Sequence, residues 1–311
     1  MAVEAAERVT KEKRFTYKGA PQRLDVFLAK NLESLSRTQV QRLIKENRID
    51  VDGAPAPARH PLAPGQVIVV RLPEFSSLPP SAADSVPVLF EDDDVIVVNK
   101  PAGLVVHPAG PHREDTLIQR LWPKLSVGWG NGLASGDTRP GVVHRLDRGT
   151  SGVMILAKNP AAAESLSKQF ADRRVTKIYW AVVEGVPTAN EGKVSSPVGR
   201  SRREPHRMST QVPGRWSETE FTVLRRFPER GPKGATLLEV RPKTGRTHQI
   251  RVQLAALGHP LVGDTTYDAA EEGPRPLLHA RKLTFFHPRT KKSLMFEAPP
   301  PADFESFSPG K

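Results

Sequence analysis

Residues 141–158, GVVHRLDRGTSGVMILAK, decide the fold and frame the candidate chemistry. An apolar strand ends, polar residues and glycines follow, and an apolar strand resumes over residues 153–157. Asp147 lies at the apex of the predicted loop, between Arg145 and Arg148. Two flanking cations favour the ionised carboxylate, which is the form that serves as a nucleophile or general base. For an isolated aspartate in a loop, however, a structural salt bridge is the more common role.

A second segment, residues 177–185 (KIYWAVVEG), predicts a strand. Its apolar positions alternate, at Ile178, Trp180 and Val182, so that Tyr179 points to the opposite face. A tyrosine in this position can present its ring to a cleft, although a half-buried packing role is more common.

A third segment, residues 242–251 (PKTGRTHQIR), places a glycine turn before a helix whose first turns carry Arg246 and Arg251. A helix N-terminus with arginines is suited to binding an anion. The nearby histidines, His248 and His259, are eleven positions apart and separated by an apolar helix face. They lack the spacing of a metal site, and we predict none.

The pattern from residue 88 onward predicts an α+β fold. Strands are predicted over residues 88–90, 95–98, 153–157, 178–182, 221–224, 236–240, 283–286 and 294–296. Helices are predicted after Asn159 and over positions 250, 254 and 257, closed by Gly258. Because strands outnumber helices and do not alternate with them regularly, we expect a mixed, largely antiparallel sheet flanked by helices. The acidic run 91–94 is predicted as a hairpin turn, since adjacent carboxylates lack the spacing of a calcium loop.

Residues 21–72 form a different pattern, with two helices followed by short strands. The second helix carries Arg37, Lys45 and Arg48, spaced so that they can lie near one helix face. This segment resembles the S4-like RNA-binding domain, through Arg23-Leu24-Asp25, Ser36-Arg37 and residues 48–53. The resemblance implies that the three cations contact RNA, whereas the plain alternative is a solvated helix face.

The remaining segments are predicted as tails and a linker. Residues 1–20 are expected to form a disordered polar tail, and residues 73–87, rich in Pro and Ser, a linker. The large domain then covers residues 88–298, and residues 299–311 are a second tail, also expected to be disordered.

The composition narrows the function classes. The 311 residues include 46 Lys and Arg against 34 Asp and Glu, a formal net charge of +12, which predicts a polyanionic partner such as nucleic acid. The absence of cysteine excludes disulfides, thiol nucleophiles and Cys-ligated metals. No signal peptide or membrane-spanning segment is predicted, so we expect a cytoplasmic protein without a membrane partner.

Together, these motifs resemble the RluA-type family of RNA pseudouridine synthases. The matching segments, in chain order, are residues 99–103, 144–152, 177–185, 245–251 and 278–280. With the small module in front, the architecture resembles the members that act on large-subunit ribosomal RNA. The chain departs from the family pattern at Gln253, where a histidine is frequent, and at Asp268, where a glycine is frequent.

The resemblance implies roles for five residues. Asp147 is the essential carboxylate, which attacks C1′ or deprotonates C2′ of the target uridine. Tyr179 stacks on the flipped base, and Arg251 pairs with the aspartate. Arg145 takes the place of the extruded uridine, with a salt bridge to the aspartate as its alternative role. Arg246 is the weaker candidate for the pairing arginine and otherwise touches phosphate.

The resemblance also sets the expected partners. The substrate is RNA, ribosomal RNA first and transfer RNA second, and the reaction uses neither cofactor nor metal. We expect a monomer. A non-catalytic RNA-binding or ribosome-assembly factor on the same scaffold is the alternative, which the loss of Asp147 or Tyr179 would have favoured. Residues 200–207 contain four arginines, and whether this loop contacts RNA stays open.

Overall fold

The chain divides into two units, residues 1–78 with 122–140 and residues 79–121 with 141–311. A computed structural model describes residues 10–32, 37–73, 86–108, 115–129, 139–204, 206–270 and 273–307. Within these residues, no helix is both long enough and apolar enough to cross a membrane.

The first unit contains two helices and a small antiparallel sheet. Its elements are β1 (Thr10–Thr16), β2 (Gln22–Arg23), α1 (Leu24–Asn31), α2 (Arg37–Lys45), β3 (Ile49–Val51), β4 (Ala54–Pro55), β5 (Pro61–Leu62) and β6 (Val67–Pro73). The sheet order is β1-β6-β3-β4, and β2 pairs with β5. One core joins helices and sheet, with Leu28, Leu43 and Ile68 fully buried. The predicted order of two helices followed by strands is therefore confirmed.

The N-terminal strand corrects the prediction of a disordered tail over residues 1–20. β1 pairs with β6 along its whole length, from Thr10 opposite Pro73 to Thr16 opposite Val67. Burial alternates along β1, with Lys13 and Phe15 facing inward. Because one of the inward positions is a lysine, the sequence does not show the apolar–polar alternation that predicts a strand. Residues 1–9 lie outside the described residues.

Asp25 ties the two helices of this unit together. Its carboxylate is fully buried. It accepts hydrogen bonds from Arg23 at 3.0 Å, Arg37 at 3.0 Å and Gln41 at 2.8 Å. Burial raises the pKa of Asp25, but the hydrogen bonds outweigh burial and hold the pKa far below its ordinary value of 3.8. The charged form of this carboxylate is thus part of the fold.

The second unit is built on a ten-stranded sheet. Its elements are β7 (Val88–Glu91), β8 (Val95–Lys100), the first residues of α3 (Leu117–Trp129), β9 (Ser151–Ala157), α4 (Pro160–Ala171), β10 (Thr176–Glu184), β11 (Glu191–Arg200), β12 (Met208–Ser209), β13 (Arg215–Phe227), β14 (Ala235–Pro242), α5 (Gln249–Ala256), β15 (Leu278–Phe286) and β16 (Ser293–Glu297). The residues of α3 from 122 onward are grouped with the first unit. The order is β12-β11-β13-β14-β10-β15-β9-β8-β7, with β16 also paired to β15. Every predicted strand lies within one of these elements, and the α+β class is confirmed.

One parallel pairing sets the register at the centre of this sheet. The other strand pairs are antiparallel, whereas β9 and β15 run parallel with Gly152 opposite Ala280. Ala280 also stands opposite Tyr179 of β10. Gly152 has φ 114°, and a Cβ there would lie 2.2 Å from the Ala280 carbonyl oxygen, so only glycine fits. The register therefore relates the strand that follows Asp147 to the strand that carries Tyr179.

The helix ends are confirmed in part. Asn159 caps α4 as predicted, its side chain accepting the Ala162 N–H at 2.9 Å. α5 ends at Ala256, so Leu257, which was predicted on the apolar face, lies beyond the helix and is exposed. Leu257 is the C-cap residue, and Gly258 follows it with φ 84°, the left-handed conformation that commonly terminates a helix, so the predicted stop at Gly258 is confirmed.

The C-terminal segment corrects a second tail prediction. Residues Ala302–Phe307 form a 3-10 helix, in which Phe304 and Phe307 are buried. Asp303 receives a bidentate pair from Arg275 at 2.7 and 2.8 Å. The proline run before this turn hides it in the sequence pattern. Of the predicted linker, 73–87, residues 74–85 lie outside the described residues, and the boundaries at residues 72 and 88 stay predictions.

Asp25→Asn should destabilise the first unit at neutral pH, because the amide keeps the shape but loses the charge that its arginine donors pair with. We expect a loss of about 2 kcal/mol in the free energy of unfolding. The pKa of Asp25 is lower in the folded state than its unfolded-state value of 3.8, so its ionised carboxylate stabilises the folded state at any pH above 3.8. This stabilisation is lost as the pH falls from 3.8 toward the folded-state pKa. The variant should therefore lose less stability than the wild type on acidification below about pH 4.

Denaturant unfolding of the full chain, with hydrogen exchange read in α1 and α2, measures this difference. Glu12→Gln is the matched control, since Glu12 is an exposed carboxylate paired locally with Arg14. Equal stability of Asp25→Asn and wild type at pH 7 would contradict the prediction.

Candidate active site

The loop of residues 143–150, which carries Asp147, is held at both ends by glycines in the left-handed region. Gly141 has φ 73°, and a Cβ there would lie 2.2 Å from the Ala157 carbonyl oxygen. The Ala157 N–H in turn donates to Gly141 O at 2.9 Å. At the other end, Gly152 makes the close approach to β15. The loop is therefore pinned to the sheet on both sides.

A buried lysine supports the loop from below. Lys100, the last residue of β8, is fully buried. Its Nζ donates to the carbonyl oxygens of Pro101 at 2.8 Å, Leu104 at 2.9 Å and Arg148 at 3.4 Å. Burial lowers the pKa of Lys100 to about 7, although the charge of Asp147 opposes the shift. The ammonium thus bridges the loop after β8 to the loop of Asp147.

The two arginines beside Asp147 in the sequence turn away from it. Arg148 Nε donates to the Gly103 carbonyl oxygen at 3.1 Å, and the Gly103 N–H donates to Arg148 O at 2.8 Å. Arg145 is exposed and donates to the hydroxyl of Thr247 at 2.7 Å. The expectation that both flank the carboxylate of Asp147 is therefore wrong for the described residues. Residues 147–150 form a turn closed by the Thr150 N–H on the Asp147 carbonyl oxygen, and each arginine has its own partner elsewhere.

The cation beside the carboxylate comes from α5. Arg251 Nη1 lies 3.6 Å from Asp147 Oδ2. The same guanidinium is buried and forms a bidentate pair with Asp264, at 2.7 and 2.8 Å. Burial lowers the pKa of Arg251, but Asp264 outweighs it and the pKa is raised. The sequence prediction named Arg251 as the partner of Asp147, and the structure brings the two together.

Tyr179 lies half-buried on β10, among the apolar residues that pack beneath α5. Burial and then the charge of Asp147 raise the pKa of its phenol. A neutral phenol is therefore placed in the field of the carboxylate.

Basic groups surround this centre. Lys177 Nζ donates to Thr244 O at 2.9 Å, and burial together with the charge of Arg246 lowers the pKa of Lys177 to about 8. Arg246 Nε is buried without a hydrogen-bond partner among the described residues. Arg145, which is exposed, donates to the hydroxyl of Thr247, the residue after Arg246. These cations together favour an anionic ligand.

Two other histidines have structural roles and are neutral. His144 Nε2 accepts the Ile155 N–H at 3.1 Å, its ring stacks on Phe170, and burial lowers its pKa to about 3. His279 lies 2.9 Å from the Ser151 hydroxyl, and burial lowers its pKa to about 4. Both fasten the ends of the Asp147 loop to the sheet.

The two departures from the family pattern are accommodated locally. Gln253 is fully buried, and its side chain accepts from the Thr219 hydroxyl at 2.6 Å. Asp268 adopts φ 63°, the conformation that a glycine would favour, and its carboxylate pairs with Arg207 at 2.6 Å. Neither residue lies at the Asp147 carboxylate.

The candidate RNA-binding cations of the first unit do not share one helix face. Arg37 is bound to Asp25 through Nε and is half exposed. Lys45, the last residue of α2, is exposed. Arg48 follows the end of the helix and lies 3.6 Å from Glu46. The prediction of a common face fails for Arg48 because the chain turns after Lys45.

Among the described residues, Asp92, Asp94 and His287 bring possible metal ligands within 4.8 Å of one another. Their atoms already contact other groups. His287 Nε2 lies 2.7 Å from Asp92, and Arg289 Nε lies 2.7 Å from Asp94. Burial raises the pKa of Asp94, but the hydrogen bonds from Arg289 and Asn159 lower it overall. The cluster joins the turn between β7 and β8 to the turn between β15 and β16. The first of these is the hairpin turn that was predicted over residues 91–94.

Comparison with known proteins bears directly on this arrangement. A family model described as RNA pseudouridylate synthase matches residues 94–256, which contain Asp147, Tyr179 and Arg251. The chain belongs to this family. An S4 domain model matches residues 22–68. The protein is therefore an isomerase that acts on RNA, with an S4 domain in front of its synthase domain.

Related proteins are similar to this chain in sequence over most of their length. An uncharacterized RNA pseudouridine synthase of Bacillus subtilis is 40% identical over 290 residues, covering 91% of each chain. Ribosomal large subunit pseudouridine synthase D of Nitrosomonas europaea is 36% identical over 296 residues, covering 90% of this chain and 82% of that protein. The solved structure of human RNA pseudouridylate synthase domain containing 1 has a TM-score of 0.57 and 28% identity, covering 71% of this chain and 86% of that one.

Sequence reasoning missed three contributors to the site of this synthase. Lys100 lay in a matching segment but carried no predicted role. Asp264, which binds Arg251, and Tyr267, whose hydroxyl lies 3.0 Å from His248 Nδ1, carried no predicted role. The available signal was a charged residue at the buried end of an apolar strand, as at Lys100, since burial of a lone charge demands a partner.

Lys100→Met should disturb the synthase loop, because it keeps the apolar stem but removes the ammonium that donates to the Pro101, Leu104 and Arg148 carbonyl oxygens, of which Arg148 O keeps the Gly103 N–H. We expect a loss of about 1–3 kcal/mol in the free energy of unfolding and a fall in turnover. Denaturant unfolding and tritium release from C5-labelled uridine in RNA measure the two effects. Lys193→Met is the control, since Lys193 is exposed and paired with Glu218 at the surface. Wild-type stability and turnover in Lys100→Met would refute the supporting role.

Proposed function

We propose that this protein isomerises specific uridines of large-subunit ribosomal RNA to pseudouridine, with Asp147 as the essential carboxylate. The observation that carries the proposal is the position of Asp147 Oδ2, 3.6 Å from the guanidinium of Arg251, which Asp264 holds in place. The printed name of the Nitrosomonas relative supports the choice of RNA. Transfer RNA is the second candidate.

The reaction breaks the N1–C1′ bond of uridine, turns the uracil and joins C5 to C1′. The hydrogen on C5 is lost and N1 gains one, so nothing is oxidised or hydrolysed overall and no cofactor is needed. Asp147 either attacks C1′ or removes a proton from C2′. Both routes require the carboxylate form of Asp147. Arg251 places a positive charge 3.6 Å from one oxygen of that carboxylate.

Three side chains handle the nucleotide in this proposal. Tyr179 offers its ring to the extruded base, and its neutral phenol adds no charge beside Asp147. Arg145, exposed at the edge of the loop, occupies the space that the base leaves in its helix. Arg246, whose Nε has no hydrogen-bond partner among the described residues, supplies a guanidinium for a phosphate oxygen.

The RNA surface extends beyond the catalytic centre. Arg202 and Arg203 are exposed between β11 and β12, in the segment that the sequence left open. Lys45 and Arg48 of the S4 domain add phosphate contacts, whose contribution falls as salt rises. The protein acts as a monomer in the cytoplasm.

Asp147→Asn should abolish pseudouridine formation while preserving RNA binding. The amide is nearly isosteric but can neither attack C1′ nor accept a proton, whereas phosphate contacts dominate affinity. Tritium release from RNA labelled at C5 of uridine, alongside filter binding of the same RNA, separates the two. Asp93→Asn is the control, since Asp93 is an exposed aspartate of the same unit. Wild-type tritium release by Asp147→Asn would overturn the catalytic assignment, and loss of RNA binding would assign Asp147 a structural role.

The RNA target is identified by mapping pseudouridine in all stable RNAs of cells with and without the gene. We expect one or more uridines of large-subunit ribosomal RNA to lose the modification in the deletion strain. Return of the signal with the wild-type gene, but not with Asp147→Asn, ties the site to this enzyme. Loss confined to transfer RNA would contradict the ribosomal assignment, and an unchanged map would favour a non-catalytic RNA-binding factor.

A further inference from the structure

His248 occupies an unusual backbone conformation directly before α5. It is the N-cap residue, with φ 54° and ψ 18°, a left-handed conformation that non-glycine residues seldom adopt. Its side chain makes no capping hydrogen bond with the helix. The turn is instead closed by Gln249, whose side chain accepts the Arg246 N–H at 3.0 Å. Because the imidazole ring does not cap the helix, we relate the left-handed conformation of His248 to the position of its ring beside other side chains.

The two nitrogens of this ring face different partners. Nδ1 lies 3.0 Å from the hydroxyl of Tyr267, and Nε2 lies 3.9 Å from Asp147 Oδ2. The ring thus stands between a buried tyrosine and the carboxylate of the proposed reaction. Arg251 approaches the same carboxylate oxygen from 3.6 Å.

The tautomer of His248 follows from the hydrogen bonds of Tyr267. Tyr267 is buried, and its hydroxyl oxygen accepts the backbone N–H of Met208 at 2.9 Å. The hydroxyl hydrogen then needs an acceptor, and His248 Nδ1 is the acceptor that the described residues place beside it, at 3.0 Å. If Nδ1 carried the hydrogen instead, a buried hydroxyl would be left without an acceptor. Nε2 therefore carries the ring hydrogen and directs it at Asp147.

We infer that His248 is a positioning residue for Asp147, which uses its Nε2–H to hold Oδ2 while Tyr267 fixes the tautomer. The inference rests on the proposed function. At 3.9 Å the contact is longer than a hydrogen bond, as is common before substrate closes a site. With Arg251 at the same oxygen, the carboxylate is restrained on one side and its other oxygen is left for the nucleotide.

The arrangement requires a neutral imidazole. The charged groups that face the ring are Asp147, Arg251, Asp264 and Arg145. Burial is the largest influence and lowers the pKa of His248 below 6.5, with the arginines acting in the same direction and the carboxylates opposing. Protonation would turn Nδ1 into a donor, so the Tyr267 hydroxyl would lose its acceptor. Turnover should therefore fall on acidification as His248 becomes charged.

Two substitutions separate positioning from packing. His248→Gln places an amide N–H near the position of Nε2 and cannot titrate, whereas His248→Asn reaches only the position of Nδ1. We expect His248→Asn to lower kcat by about 10-fold to 100-fold with unchanged RNA affinity, the size of effect that misplacement of a reacting group produces. His248→Gln should retain most of kcat and lose the part of the acid limb that His248 causes. Tyr267→Phe should also lower kcat, because the tautomer is no longer fixed.

The assay is tritium release, from pH 5 to 8, from [5-³H]uridine-labelled total RNA of cells that lack the gene. Wild type and Asp147→Asn are run alongside. Turnover by wild type together with wild-type kcat in His248→Asn overturns the inference alone. Equal losses in the Asn and Gln variants, with lowered melting temperatures, also overturn it by assigning His248 to packing. Absence of release by wild type overturns the proposed function and the inference with it.

Discussion

The close approach of Gly152 to the backbone of Ala280 is the constraint on which the site depends. At this point, β9 runs parallel to β15 within an otherwise antiparallel sheet. Because a Cβ on Gly152 would lie 2.2 Å from a carbonyl oxygen, no side chain can enter the contact. The approach fixes where the loop of Asp147 ends, and Ala280 passes the same register on to Tyr179. A backbone contact between residues 128 positions apart thus relates the positions of the two candidate site residues Asp147 and Tyr179.

The guanidinium of Arg251 lies between two carboxylates and contacts them differently. Arg251 gives its bidentate face to Asp264, which holds the guanidinium rigid in a buried position. Its remaining nitrogen reaches toward Asp147 without closing to hydrogen-bond distance. The Asp147 carboxylate therefore lies beside a fixed positive charge, and that charge approaches only one of its two oxygen atoms, Oδ2.

The sequence predicted the strands, the α+β class and the meeting of Asp147 with Arg251, because alternation and motif order survive without tertiary context. It failed where partners are chosen across the fold. Arg148 stands next to Asp147 in sequence, yet it binds the carbonyl oxygen of Gly103. β1 was hidden because a lysine occupies an inward position, and Leu257 was placed in a helix that ends before it. The hydrophobic pattern of the sequence shows the period of a helix or a strand. It does not show which loops meet in the fold, and the ion pairs depend on those contacts.

The C-terminal turn braces the loop of Asp147 from a distant part of the sequence. Asp303 holds Arg275, and Arg275 Nη1 donates to the Gly149 carbonyl oxygen two residues after Asp147. The guanidinium of Arg275 is therefore shared between the segment after β16 and the loop. Local opening of the 3-10 helix would release this guanidinium and loosen the loop without any change in the sheet. The order of the loop thus depends on a segment that contributes no strand to the sheet.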